Sequence, residues 1–215
     1  MKTSVAVKTL LGAASLTIPL MAFAESNVQT GAATASPGAT AHVDFSIVIP
    51  KILYLRVGSG TVYSGATPSY ASGGSIDVIT FSPTAAQVGS GTAVTGSGGD
   101  ISGSTETAAI VANSGTVTLN ASANAAGLSD GAGDTIAFSE ITTAAAAGAF
   151  ATLLNPPTLT NGVSGNITVP APASKVIQAD AKWTFSYKND ILPPAGTYGA
   201  IVANNSRVTY TATMP

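Results

Sequence analysis

Apolar and polar residues alternate with a period of two over the last third of the chain. Ala181, Trp183, Phe185 and Tyr187 fall on one parity, and Lys182, Thr184, Ser186 and Lys188 on the other. After Pro193-Pro194-Ala195-Gly196 the alternation resumes through Thr197–Val202, and then through Val208, Tyr210, Ala212 and Met214. A two-residue period with one apolar side predicts half-buried strands of an antiparallel sheet. The segment Asp180–Met214 therefore reads as three consecutive strands that supply much of the core.

A second alternation sets Val43, Phe45, Ile47 and Ile49 against His42, Asp44, Ser46 and Val48. Pro50 interrupts it, and Ile52–Leu55 and Val57 follow as a nearly continuous apolar run ending at Gly58. Proline cannot donate a ladder hydrogen bond, so it belongs at a bulge, an edge or a crossing between sheets. This predicts one long bent strand or two short ones, the second half buried on both faces. Between these blocks lie shorter signals. Ile76, Val78 and Phe81 suggest a strand that stops at Pro83. Thr107–Ala112 and Thr116–Ala121 are β-branched runs joined by Asn113-Ser114-Gly115, which predicts a hairpin. Thr135–Phe138 and Asn166–Val169 read as further strands. Thr142–Leu154, with Ala144–Ala147, is the one passage with helix propensity, and Gly148 and Asn155-Pro156-Pro157 limit it to a turn or two. About ten short strands with turn signals between them predict an all-β chain built as a sandwich.

The N-terminus changes the bookkeeping. Lys2 and Lys8, an apolar run from Leu10 to Phe23, and Ala22-Phe23-Ala24 before Glu25 describe a secretory signal peptide over residues 1–24. Residues 25–40 are small and polar and read as a flexible arm. The β-sandwich domain is expected over 41–215. Without the first 24 residues, six basic side chains face ten acidic ones, and no basic stripe is present. That excludes nucleic acid as a partner on charge grounds. Charged residues are 8% of the chain, against about 25% in ordinary soluble proteins. There are no cysteines, so disulfides, thiolate metal sites and thiol catalysis are excluded. After the signal region, no apolar run reaches the length of a transmembrane helix.

Candidate chemistry is sparse. Gly127-Leu128-Ser129-Asp130-Gly131 matches the serine-hydrolase elbow in letters, but no helix follows and the single histidine, His42, lies upstream. Asp130 and Asp134 bracket a Gly-rich turn that could hold a hard cation, with a plain turn as the competing reading. Trp183, Phe185 and Tyr187 could form an aromatic sugar platform, but the same spacing describes a core. Tyr63 and Tyr70, in a Gly/Ser-rich loop, are the candidate exposed contacts. The other carboxylates are scattered singly, so no catalytic residue, cofactor site or metal site is expected.

The ending Ala195-Gly196-Thr197-Tyr198, followed by Arg207-Val208-Thr209-Tyr210-Thr211-Ala212, resembles that of exported pilin-like (fimbrial) β-sandwich subunits of bacteria. The signal peptide and the low-charge Ala/Gly/Thr-rich arm are similar too. The resemblance implies a single immunoglobulin-like or pilin-like antiparallel sandwich at the cell surface or in the periplasm. It also implies partners that are copies of the chain or an assembly chaperone. The chain departs from the family in lacking the subunit disulfide, and its arm lacks bulky alternating residues. Val43, Phe45, Ile47 and Ile49 better fit the chemistry of an exchanged strand. Two further readings stand beside this one: an extracytoplasmic glycan- or ligand-binding module using loops 58–75 and 84–104, and a small outer-membrane barrel.

Overall fold

The computed structural model describes residues 26–32, 38–60 and 73–215, and the expected signal peptide lies outside these. The described part is all-β. Its strands are β1 (Leu53–Val57), β2 (Ile79–Thr80), β3 (Val94–Thr95), β4 (Ser97–Gly98), β5 (Thr105–Ala112), β6 (Val117–Ser122), β7 (Leu128–Ser129), β8 (Thr135–Ile136), β9 (Ile141–Ala147), β10 (Thr152–Leu153), β11 (Ile167–Val169), β12 (Ile177–Tyr187) and β13 (Thr209–Thr213). Two single-turn 3-10 segments, Phe138–Glu140 and Val202–Asn204, are the helical pieces among the described residues. The compact unit runs from Pro50 to Pro215. No described helix is long and apolar enough to cross a membrane.

The predicted strand at Trp183 is the centre of this unit. Along one edge of β12, β5 pairs antiparallel with residues 177–184, and β3 takes over at Ser186 and Tyr187. Along the other edge, β9 pairs antiparallel with residues 181–187, and β10 continues parallel at Ala179 and Asp180. β1 lies antiparallel on the far side of β5 and completes a six-stranded sheet. A separate three-stranded antiparallel sheet has the order β11-β6-β13. Neither sheet closes into a barrel.

The two sheets bury a common core. Ala108, Ile110 and Ala112 of β5 and Ala179, Ala181, Trp183 and Phe185 of β12 meet Val117, Leu119 and Ala121 of β6 and Val169 of β11. Trp183 is fully buried, its ring 5.4 Å from that of Tyr210 in β13. Burial of its polar tip is tolerated because Nε1–H donates to Leu154 O at 2.7 Å. The backbone reversal between β9 and β10 is held by a second buried group on β12. The Asp180 carboxylate accepts from Ala149 N at 2.7 Å and Phe150 N at 2.8 Å. Gly148 leaves room for it, since a Cβ there would run into the same carboxylate.

Several expectations are corrected. Val43, Phe45, Ile47 and Ile49 form no strand: residues 38–52 have no regular secondary structure. Alternation marks a segment fit for a sheet but supplies no neighbour for it, and a lone strand is not stable in water. β1, expected to be buried on both faces, is half-buried along its length, and among the described residues it pairs with β5 alone. Thr142–Leu154 is not helical. Ala144–Ala147 extend as part of β9, where pairing with residues 181–184 of β12 overrides helix propensity. Thr107–Ala112 and Thr116–Ala121 are strands but not a hairpin, since β5 and β6 belong to different sheets. The link between them turns the chain from one side of the core to the other, and Asn113 in it holds the start of β1. Its side chain accepts from Ile52 N at 2.7 Å and donates to Pro50 O at 2.8 Å. Thr197–Val202 is not a strand. Gly199 and Ala200 take φ of 82° and 65°, which breaks extension, and Gly199 N instead donates to Ser129 O at 2.8 Å.

If Trp183 is the keystone described, Trp183→Phe should cost about 1–3 kcal/mol by leaving Leu154 O without its donor. Trp183→Ala should cost about 3–5 kcal/mol. Urea unfolding followed by circular dichroism measures both, and losses below about 0.5 kcal/mol would refute this role.

Candidate functional site

The structure separates the residues singled out from sequence. Val43, Phe45, Ile47, Val48 and Ile49 are 73–90% exposed, so both parities of the segment face water. Tyr63 and Tyr70 lie outside the described residues. His42 is exposed. Trp183, Phe185 and Tyr187 are buried and belong to core, not to a binding platform.

Two of the strand edges of the compact unit belong to β1 and β13. Among the described residues, β1 pairs only with β5, and β13 only with β6. These two strands, one from each sheet, run near each other. Their core-side residues, Leu53, Leu55 and Val57 on β1 and Tyr210 and Ala212 on β13, pack against the core but remain half-buried. Met214, just past β13, does the same. The site therefore combines incompletely covered apolar side chains with strands that, among the described residues, pair along one edge only.

The turn at Asp130 is closed by its own backbone. Asp130 Oδ1 accepts from the amides of Ala132, Gly133 and Asp134 at 2.8, 3.0 and 3.0 Å, and these bonds, Ala132's foremost, lower its pKa against the opposing pull of desolvation. An oxygen saturated by three donors is a poor ligand for a cation, and no group of three or more potential metal ligands exists among the described residues. Ser129, the formal elbow serine, sits in β7 and accepts from Gly131 N at 3.0 Å. No strained nucleophile turn is formed.

Folding does assemble a charged cluster that chain order conceals. Arg56 of β1 bonds Asp100 Oδ2 at 2.8 Å. Asp100 Oδ1 accepts from Thr107 N at 2.7 Å, and Asp100 N donates to Glu106 Oε2 at 3.1 Å. Asp77 accepts from both N and Oγ of Ser59, the latter at 2.7 Å, and so clamps the base of the 60–76 stretch. Gly58, at φ 80°, passes where a Cβ would collide with the carboxylates of Asp77 and Glu106. Three acids thus lie together, and one guanidinium, that of Arg56, joins them through Asp100. Glu106 shares the inward parity of Ala108, Ile110 and Ala112 and is 5% exposed. Desolvation above all, with the charges of Asp77 and Asp100 behind it, raises its pKa to about 7, although the hydrogen bond from Asp100 N opposes this. Asp77 goes the other way. Burial pulls it up, but the Ser59 bonds, the hydrogen bond with Glu106 and the Arg56 charge together hold it below its usual value. Below about pH 7 Glu106 holds the proton, whereas Asp77 carries the charge. The arrangement ties Ser59 to Asp77 and leaves Glu106 as the group that takes up a proton.

A second acidic pair lies at the 3-10 turn before β9. Glu140 Oε2 is buried without a donor, and hydrogen bonding with Asp190, then burial, raises the Glu140 pKa.

The cluster makes stability depend on pH with a definite sign. The folded-state pKa of Glu106 lies above its ordinary value of 4.5, so stability is fully present at low pH and is lost as pH rises through about 7. Glu106→Gln mimics the protonated form. Its melting temperature should match the parent's below about pH 4, exceed it increasingly from about pH 4.5 to about pH 7, and hold a constant lead above that. A difference that stays constant from about pH 4 to about pH 7 would refute the assignment.

No protein-family model, no curated protein and no solved structure matches this chain, so its function is argued from the geometry above.

Proposed function

We propose that the protein is a non-enzymatic, exported structural subunit, a pilin-like β-sandwich that assembles at the cell surface by strand pairing and apolar packing. The observation that carries this reading is the exposure of Val43, Phe45, Ile47 and Ile49. They precede a compact unit in which β1 and β13, among the described residues, each pair with a strand on one side only. In the proposed assembly this segment of one copy adds as a strand to the β1 or β13 edge of the next. Backbone bonds supply affinity, and alternate side chains fill the half-covered core. The resemblance of the Gly196-Thr197-Tyr198 ending to fimbrial subunits supports the same reading. A chaperone that occupies the edge before assembly is the other partner implied. Two sheets that share one core support the sandwich description.

The mature chain should form polymers as its concentration rises. Phe45→Asp with Ile47→Asp removes two anchors worth about 1.5–3 kcal/mol each and should weaken association at least about 100-fold. The melting temperature of the monomer should be unchanged, because both residues are exposed there. Sedimentation and electron microscopy measure the outcome. A parent chain that stays monomeric at every concentration, with or without residues 41–49, would refute the proposal.

A further inference from the structure

The outward face of the three-stranded sheet is a lattice of uncharged hydroxyls and amides. Strand register places Thr168, Thr118 and Thr213 side by side on β11, β6 and β13. The next rank sets Asn120 beside Thr211, with Asn120 Nδ2 donating to Asn166 Oδ1 at 3.4 Å. A third sets Ser122 between Thr209 and Val163, whose exposed side chain is the apolar member of that rank. The intervening residues Val117, Leu119, Ala121, Tyr210 and Ala212 point into the core, so the parity of these strands divides sharply. Neighbouring groups in the lattice repeat at about 4.8 Å across strands and about 6.7 Å along them.

Where β13 begins, this face runs into an open groove of about 250 Å³. Arg207, Asn124 and Asn205 supply its polar wall, and Val202 and Ala123 an apolar one. Asn124 is already engaged: Nδ2 donates to Asn205 Oδ1 at 3.0 Å, and Oδ1 accepts from Ala126 N at 2.8 Å. The Asn205 amide hydrogens remain. The chain has two arginines. Arg56 is committed to Asp100, whereas Arg207 has no carboxylate partner among the described residues.

We propose that this face binds an acidic oligosaccharide. The carboxylate of one sugar pairs with the Arg207 guanidinium in the groove, and the hydroxyls of adjoining sugars lie on the Ser122/Thr209 and Asn120/Thr211 ranks. A planar guanidinium suits a carboxylate held through two parallel bonds. The groove falls below the about 300–1,000 Å³ of sites for drug-sized ligands and suits a single sugar ring. The lattice offers donors and acceptors without charge, which match hydroxyls. One cation is too few for a nucleic acid. The site is a sheet face rather than an edge and has no deep apolar pocket, which disfavours a peptide. The inference does not depend on strand exchange, since it uses the outward face of β13 and not its edge.

The test is an amide-shift titration of isotope-labelled protein with a galacturonic acid trisaccharide, a neutral glucose trisaccharide, a sulfated trisaccharide and sodium acetate. Saturable shifts at Asn124, Asn205, Arg207 and Thr209 are expected with the uronate, at least about tenfold tighter than with the neutral sugar or acetate. Arg207→Gln should weaken the uronate at least about tenfold, and Arg207→Lys, which keeps charge but loses the fork, by less. Thr211→Val should weaken it severalfold without altering acetate. Equal binding of uronate and neutral sugar, equal binding of uronate and acetate, tighter binding of the sulfated sugar, or no saturable shift at these residues would each overturn the proposal. These comparisons use the parent protein, so they decide the matter even where a variant fails to fold.

Discussion

The structure of residues 50–215 depends on β12 having both edges filled. Eleven residues of one strand meet β5 and β3 on one side and β10 and β9 on the other, so four partners are aligned by a single backbone. Two side chains on it make this possible. Trp183 fills the middle of the core and ties Leu154 to it through the indole N–H. Asp180 receives the amides of the β9–β10 reversal, which brings the chain round from an antiparallel to a parallel pairing on the same edge. A buried carboxylate is costly unless donors surround it, and here the reversal supplies them. Fold and charge satisfaction are therefore the same event at this point. Ala108, Ala112, Ala179 and Ala181 complete the same core with small side chains.

Charge is scarce in this chain, and the buried acids must share what there is. With two arginines in the chain, the cluster at Asp77, Asp100 and Glu106 receives a single guanidinium. Neutrality is approached by protonating Glu106 rather than by importing a lysine. The consequence is a domain that loosens slightly as pH rises, opposite to the common case in which paired carboxylates lose stability in acid. The Asp130 turn follows the common case: its lowered pKa comes chiefly from the Ala132 amide.

The strands were legible wherever alternation coincided with burial. Trp183, Phe185 and Tyr187 announce β12, and Val208–Met214 announces β13, because both pack against the core on one parity. The helix propensity of Ala144–Ala147 misleads because alanine is also the residue that fits closely beside β12. The predicted hairpin fails for another reason: a turn signal such as Asn113-Ser114-Gly115 reports a reversal, not which sheet the next strand joins. The charged cluster is spread over residues 56, 77, 100 and 106, so no local spacing reveals it. One sign was present nonetheless. Glu106 stands on the parity of Ala108, Ile110 and Ala112, and an acid on the inward side of a strand must find partners or a proton. The lattice of Thr118, Thr168, Thr211 and Thr213 needs register as well as parity, and register is set by tertiary structure.

Alternation without a neighbour is what makes residues 43–49 informative. Burying Val43, Phe45, Ile47 and Ile49 would yield roughly 6–12 kcal/mol from apolar transfer. Ordering the seven backbone units would cost roughly 7–14 kcal/mol. The two terms nearly cancel, so the side chains alone do not fasten the segment to anything. The surplus has to come from a ladder of backbone hydrogen bonds, each worth about 0.5–1.5 kcal/mol, and such a ladder requires an open strand edge. In the proposed assembly β1 or β13 supplies that edge from a second copy, and its half-covered residues Leu53, Leu55, Tyr210 and Met214 gain the cover they lack. Exposed edges usually carry lysines, prolines or bulges that discourage pairing. β13 is Thr-Tyr-Thr-Ala-Thr and bears none of these guards, which suits an edge that is meant to be filled.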